Sequence, residues 1–298
     1  MAATILAAGL LVAAAPSTAH GSTAGAAAAC EVKAGAVTAG GDHWIQGFRA
    51  TAPITRTENR VVARGLYPDG QARLSSSWEY GSHAELPGTI HSGLVTLGTV
   101  LYEHGYMMEP DGSGPFGSMD RIGGGWGAFK ALDLSTVLTS STTERWTGYG
   151  LRTDGILQRW NVTHNAGQPV WRPSGTATGF GAVKAMALIS QTRTYDTFLM
   201  NTGSGGLYTV RIPTTTPMKP VVKKVRSSTW QGFESLVTAR CGSTGTLLLG
   251  IDKDTGNGYL YAVGHGATVI KGLGKVPGTF TNPVNFSWRR DRDLPTGA

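Results

Sequence analysis

The sequence predicts an all-β fold assembled from repeated antiparallel units, and three observations lead to this prediction. The 298-residue chain contains 43 glycines and 14 prolines, a composition typical of turn-rich β proteins. No convincing amphipathic helix follows the first thirty residues. The stretch TDGILQRW (residues 153–160) places an Asp-Gly pair between two apolar runs, a pattern typical of a tight β-hairpin.

The beginning of the chain predicts export. Residues 5–15, ILAAGLLVAAA, form a continuous apolar run, and small residues at a suitable cleavage point (Ser17, Ala19) follow it. The basic segment that normally precedes such a run is missing. A membrane anchor is the alternative, but a span needs about 20 apolar residues. We therefore predict a signal peptide over residues 1–29, a secreted protein without a membrane span, and a single folded domain over residues 30–298.

The hairpin at 153–160 has counterparts along the chain. Apolar strands that end in a glycine turn recur with spacings of 42, 43, 51 and 52 residues, and their turn glycines are Gly70, Gly112, Gly155, Gly206 and Gly258. A second marker precedes each turn by 18 to 26 residues, with its apolar position at Phe48, Leu94, Phe129, Val183 and Phe233. The last three copies are clear and the first two are degenerate. Five units are predicted, at 44–88, 89–124, 125–179, 180–229 and 230–282.

A unit of about 40–50 residues with about four strands is typical of one blade of a β-propeller. Five blades are therefore predicted, and six is the alternative, because NPVNFSWRR (282–290) resembles the start of a further unit. A propeller must join its first and last blades or expose sheet edges. We expect the terminal segments CEVKAGAVTAG and NPVNFSW to close the ring by strand exchange.

The chain has two cysteines, Cys30 and Cys241. In an exported protein such a pair favours a disulfide, which here would tie the N-terminal strand to the fifth unit. Lipid modification of Cys30 and two free thiols are the alternatives.

The formal net charge is +7, and none of it comes from residues 1–29. The basic residues cluster in MKPVVKKVR (218–226) and WRRDR (288–292). This charge favours acidic partners, either anionic cell-wall polymers or an acidic protein surface. Nucleic acid is not expected as a partner of an exported protein.

The clear units resemble the tachylectin family of five-bladed propeller lectins. The resemblance rests on GGGWGAFKALDLS, STWQGFESLV and NGYLYAVGHG, which are similar to the family's Gly-Trp-x-x-Phe-Lys strand and Asp-Gly-x-Leu-Tyr-Ala-Val hairpin. It covers residues 44–282 and specifies fold better than ligand. It implies binding of N-acetylated sugars between blades. The chain is also similar to the secreted lectin subunits of actinobacterial umbrella-shaped toxin particles, which implies other secreted subunits as partners.

Aromatic side chains are the predicted sugar contacts, because sugar rings stack their apolar faces on them. Trp126 and Trp230 recur at one repeat position, where packing between blades is the alternative role. The complete set of candidates is Trp126, Tyr149, Trp160, Trp171, Tyr208, Trp230 and Tyr261.

Catalysis is the alternative function, as a secreted glycoside hydrolase or lyase. Glycosidases need two carboxylates about 5 to 9.5 Å apart, whereas the acids here are scattered over Asp42, Glu85, Glu103, Asp111, Asp154, Asp196 and Glu234. No nucleophile motif of a serine protease is evident, and the histidines lack metal-ligand spacing. The segment 252–258, DKDTGNG, has only a passing likeness to a calcium loop and lacks the closing Glu. No catalytic residue, metal or cofactor is predicted.

Overall fold

A computed structural model describes residues 29–140, 143–264, 267, 269–291, 293 and 295. Its strands form antiparallel sheets around a central axis, so the fold is the predicted β-propeller, with five blades among the described residues. The predicted signal peptide lies outside the described residues, except for residue 29. No helix of the described chain is both long enough and apolar enough to cross a membrane.

The third, fourth and fifth blades are simple four-stranded meanders, and each runs from the axis to the rim in chain order. The third comprises β9 (Phe129–Leu138), β10 (Glu144–Arg152), β11 (Leu157–Asn165) and β12 (Gln168–Ala177). The fourth comprises β13 (Val183–Gln191), β14 (Tyr195–Thr202), β15 (Leu207–Pro213) and β16 (Val221–Arg226). The fifth comprises β17 (Ser235–Cys241), β18 (Gly245–Asp252), β19 (Asn257–Val263) and β20 (Ile270–Lys275).

The first blade takes strands from both ends of the described chain. Its outer strands are β1 (Glu31–Val37), β2 (His43–Arg49) and β3 (Thr55–Ala63), and its innermost strand is β21 (Val284–Arg290), which pairs antiparallel with β1. The first blade is therefore completed by pairing between strands from both ends of the described chain. A disulfide between Cys30 and Cys241, with a Cα–Cα distance of 5.4 Å, joins β17 to the residue before β1, as predicted, and leaves neither thiol free.

The second blade has a divided inner strand. Both β4 (Ala72–Ser75) and β5 (Trp78–Ser82) pair with β6 (Thr89–Leu97), and β7 (Val100–Met108) and β8 (Phe116–Gly123) complete the sheet. β5 also pairs in parallel with β21, with Trp78 opposite Trp288. The first two blades are therefore hydrogen-bonded into one nine-stranded sheet.

A glycine turn marks the same place in every blade, between the second and third strands counted from the axis. The turn glycines have φ between 55° and 94°, a conformation that glycine adopts without strain, and they are Gly41, Gly98, Gly155, Gly205 and Gly256. An aromatic residue before the next inner strand donates its backbone N–H to a carbonyl of this turn, at 2.9–3.2 Å; these residues are Tyr67, Trp126, Phe180, Trp230 and Phe280. This contact links neighbouring blades.

Each of the last three predicted units contains one blade, with Gly155 in the repeated turn, whereas Gly206 directly follows the turn glycine Gly205 and Gly258 lies in β19, two residues beyond Gly256. Gly70 precedes β4, and Gly112 lies between β7 and β8, so neither occupies the repeated turn. The unit predicted at 44–88 contains strands of two blades. The physical reason is that the inner strand of the first blade comes from the far end of the sequence. The strands that follow one another near the beginning of the chain are therefore shifted by one strand relative to the blades.

Hydrophobic clusters fill the five seams between neighbouring blades. The seam between the third and fourth blades is built mainly from aliphatic residues and methionines. The seam between the first and second blades instead collects aromatic rings, including Trp78, Tyr106, Phe286 and Trp288. These two seams position the polar groups described next.

Candidate functional site

The predicted aromatic residues of the third blade pack mainly against one another. Trp126 is 5% exposed, and its ring centroid lies 5.4 Å from that of Trp160 and 6.1 Å from that of Trp171. A Cβ at Gly148 would lie 2.2 Å from the ring of Trp171, so this indole covers a glycine of β10. Trp160 and Trp171 are half-buried and keep part of their surface, whereas Trp126 offers almost none.

Two further candidates are buried. Tyr149 is fully buried, and its hydroxyl donates to Asp196 Oδ2 at 2.7 Å, so it presents no ring face to a sugar. Trp230 is 4% exposed and packs 4.8 Å from Tyr261. Packing between blades is thus the observed role of Trp126, Tyr149 and Trp230. Tyr208 and Tyr261 are half-buried.

Asp196 organises the polar interior of the seam between the third and fourth blades. Its carboxylate is fully buried and accepts hydrogen bonds from Arg145, Tyr149 and Ser135 at 2.7–2.9 Å. A buried charge is tolerated only when it is paired and hydrogen-bonded in this way. These contacts indicate that Asp196, one of the scattered acids of the sequence, stabilises the seam between the two blades.

A cleft of about 480 Å³ lies between the first and second blades. Strands β1, β3, β5, β6 and β21 line it, together with the loops at 87–88 and 109–112. The half-buried ring of Tyr80 forms part of its wall, and the Lys33 ammonium lies 5.1 Å from the centroid of that ring. The cleft volume falls within the range of small-molecule binding sites, roughly 300–1,000 Å³.

A charged network lies beside this ring. Glu58 pairs with Lys33 at 3.0 Å and with Arg60 at 2.8 Å, so its two oxygens are held by two cations. Burial is the largest single influence on the pKa of Lys33 and lowers it, but the hydrogen bonds and charges of Glu58 and Tyr80 together outweigh burial and raise this pKa. The cleft therefore combines an apolar ring face with fixed hydrogen-bond donors and acceptors.

One buried histidine, His91, lines the cleft, and a second, His104, lies in the same seam against Trp78. His91 stacks on Tyr106 with a centroid separation of 4.9 Å and meets Trp288 edge-on at 5.3 Å. Burial lowers the pKa of His91 to about 4, and the charge of Arg60 adds to this effect. Burial likewise lowers the pKa of His104 to about 4, and Nδ1 of this ring hydrogen-bonds the Tyr67 hydroxyl at 2.9 Å. Both rings are therefore neutral near pH 7.

A smaller cavity, about 40 Å³, contains two carboxylates, Glu79 and Glu103. Burial raises the pKa of Glu79, and the charge of Arg289 opposes this rise. Glu103 hydrogen-bonds His164 Nε2 at 3.1 Å. This volume holds little more than one water molecule, which occupies about 30 Å³ in the liquid. Within the basic stretch 288–292, Arg289 is only 6% exposed, whereas Arg290 is exposed and residue 292 lies outside the described residues.

Sequence analysis missed the cleft between the first and second blades. One signal was available: Arg56, Glu58 and Arg60 alternate along β3, and alternate residues of a strand share a face. The partner ring, Tyr80, could not be assigned because it lies in a degenerate part of the repeat. No group of three or more potential metal ligands occurs among the described residues.

Comparisons with known proteins add solved structures of low similarity. No family model and no curated protein sequence matches the chain. It is similar to a protein from Bacteroides fragilis assigned as a 6-phosphogluconolactonase, with 9% identity, a TM-score of 0.40, and coverage of 86% of this chain and 97% of that one.

Two further solved structures are similar at the same level. The catalytic domain of the Coprinopsis cinerea GH62 α-L-arabinofuranosidase has 13% identity, a TM-score of 0.46, and coverage of 72% and 74%. The WD40 domain of SCAP from fission yeast has 7% identity, a TM-score of 0.38, and coverage of 83% and 70%. The blades themselves identify this chain as a β-propeller.

Proposed function

We propose that this propeller is a secreted carbohydrate-binding protein that holds glycans in the cleft between its first and second blades. One observation carries the proposal: the ring of Tyr80 lies beside the Lys33–Glu58–Arg60 network in a cleft of about 480 Å³. An aromatic ring with adjacent fixed charges suits a sugar, which has both an apolar face and hydroxyl groups. The resemblance to propeller lectins supports the same ligand class.

The extracellular setting belongs to the same proposal. The disulfide supports it, because disulfides persist in oxidising compartments. A cell surface or cell wall would present many copies of a glycan, on which weak sites gain by avidity. A place in a larger secreted complex is also part of the proposal, and the exposed Lys223 and Lys224 of β16 provide a basic edge for an acidic subunit.

Catalysis has less support than binding. Glu79 and Glu103 share a cavity, and the raised pKa of Glu79 suits a general acid. However, a cavity of about 40 Å³ is far below the volume of ligand sites. We therefore propose binding without turnover.

The test is glycan binding by the full chain and by two matched aromatic variants. A glycan array would identify a ligand, and titration calorimetry would measure its affinity. Tyr80→Ala should weaken binding about tenfold or more, because it removes the stacking surface of the cleft. Trp171→Ala, at the half-buried indole of the third blade, should leave affinity unchanged.

Three outcomes would overturn parts of this proposal. Failure to bind any glycan or cell-wall fraction would contradict the function. Loss of affinity in Trp171→Ala, with affinity kept in Tyr80→Ala, would contradict the cleft and favour the third blade. Release of shortened products from a bound glycan would show turnover and replace binding with catalysis.

A further inference from the structure

A second concave site lies on the propeller axis, away from the cleft between the first two blades. It is a cavity of about 210 Å³, and residues at or beside the beginnings of the five innermost strands line it. Four of its lining side chains are cationic: Arg73, Lys130, Lys184 and Lys253. Arg73, Lys130 and Lys184 are each the second residue of an inner strand (β4, β9 and β13). These strands therefore place their charges in one cavity, which we call the channel mouth.

One carboxylate, Glu234, faces these four cations among the lining residues described. Its Oε1 accepts a hydrogen bond from Lys184 Nζ, and its Oε2 accepts one from the backbone N–H of Lys253 at 2.7 Å. Glu234 is thereby engaged by one ammonium group and one amide. Four cationic side chains and one carboxylate leave the channel mouth with a net charge of +3.

The other cationic groups are held by neutral backbone carbonyls. Lys130 Nζ donates to Gly181 O at 3.0 Å, Lys253 Nζ to Pro283 O at 2.5 Å, and Arg73 Nη1 to Gly98 O at 3.1 Å. A carbonyl fixes the position of a cation but does not neutralise it. Burial lowers the pKa of both Lys130 and Lys253, because their charged forms lose water.

We propose that this channel mouth binds a small oxyanion, a phosphate or carboxylate group carried by a small molecule. Positioned cations in a concave, partly desolvated site attract an anion more strongly than cations on an open surface do. The volume is smaller than that of drug-sized ligand sites, which fits an anionic group better than a polymer. This site is separate from the glycan cleft, and neither proposal depends on the other.

The test is titration calorimetry of the full chain with inorganic phosphate and with D-glucuronate, at low ionic strength. At least one of these anions should bind with saturation at one site per chain. Saturable phosphate binding alone would identify a phosphate group as the ligand. Saturable glucuronate binding alone would identify a carboxylate.

Two double variants with the same charge change separate site binding from general attraction. Arg73→Gln/Lys130→Gln should lower the affinity for the anion at least tenfold. Lys271→Gln/Lys275→Gln, at exposed positions of β20, should leave its affinity within about twofold. Equal losses in both variants, or no saturable binding of either anion, would overturn the proposal. If the first variant is unstable, the anion should still raise the melting temperature of the unmodified chain, and the absence of a rise would contradict the site.

Discussion

The seam between the first and second blades and the seam between the third and fourth join neighbouring blades of one ring, but they use different side chains. The first seam contains tryptophans, tyrosines and buried histidines around the added strand β21. The other is mainly aliphatic, and its buried charges include the group around Asp196 and the Arg159 guanidinium, which donates to carbonyls of the fourth blade. Strand exchange therefore coincides with polar aromatic packing in the first of these seams, whereas the seam between the third and fourth blades packs mainly aliphatic side chains.

This difference has a physical basis. β21 pairs with β1 on one side and in parallel with β5 on the other, so its edges are hydrogen-bonded to both blades. Large rings fill the space around this shared strand, and tyrosine hydroxyls supply partners for histidine nitrogens, as between His43 Nδ1 and Tyr106 at 2.9 Å. The seam between the first and second blades thus contains the buried histidines His43, His91 and His104, whereas the buried residues described in the seam between the third and fourth blades include no histidine.

Loss of the disulfide, which joins the first and fifth blades, should have the largest effect on the stability of the closed ring. The Cys30–Cys241 bond closes a loop of 211 residues, and the chain-entropy estimate for a loop of this length is about 5 kcal/mol. Reductant should therefore lower the urea midpoint of unfolding substantially. The control is Cys30→Ser/Cys241→Ser, whose midpoint should already be low and should not respond to reductant. An unchanged midpoint on reduction would show that strand exchange alone holds the ring closed.

Asp196→Ala is the corresponding disruption between the third and fourth blades. It leaves Arg145 without its carboxylate partner and the Tyr149 hydroxyl without its acceptor, so we expect a loss of about 3–5 kcal/mol in unfolding free energy. Tyr149→Phe, which removes one hydrogen bond and keeps the ring, should cost about 1 kcal/mol. Similar small losses in both variants would mean that the Asp196 network contributes little to this seam.

Acid should selectively weaken the seam between the first and second blades. The pKa of His104 is about 4 in the folded protein and about 6.5 in an unfolded chain. As the pH falls from 6.5 to 4, the unfolded state binds a proton that the folded state does not, so stability falls across this window. One such histidine contributes at most about 3 kcal/mol to the loss of unfolding free energy across this pH window.

The measurement is unfolding free energy against pH for three proteins. His104→Gln should flatten the curve between pH 6.5 and 4, because a neutral side chain replaces the buried ring. His83→Gln, a change of the same type on an exposed loop, is the matched control. If His104→Gln and the unmodified chain give parallel curves, His104 does not cause the acid sensitivity of this seam.

The fold class, the closing strand and the disulfide could be predicted from the sequence, because short segments indicate them: repeated glycine turns, a leftover strand at the end of the repeat, and a single pair of cysteines. Gly155 occupies a turn that requires positive φ, and Trp126 and Trp230 keep the same contact in two blades. The strands of the first two blades could not be assigned to their blades in the same way. Their register depends on β21, which lies more than 200 residues away from the strands that it joins.

The candidate site was harder to predict than the fold. Large aromatic residues suggested sugar contacts, yet Tyr149 is fully buried and Trp126 packs against the third blade. A tryptophan that fills a seam and one that binds a ligand have the same sequence signature. The cleft at Tyr80 becomes visible only when strands from both ends of the described chain lie side by side.

The contribution of β21 to the first blade also affects how the chain can assemble on the ribosome. The third, fourth and fifth blades are each contiguous, so each sheet can form soon after it emerges. The strands β1, β2 and β3 emerge first but must wait for the innermost strand of their own sheet until all the other blades have been synthesised. During that interval the inner edge of β1 is unpaired and open to association with other nascent chains, which makes the earliest part of the protein the last to be protected.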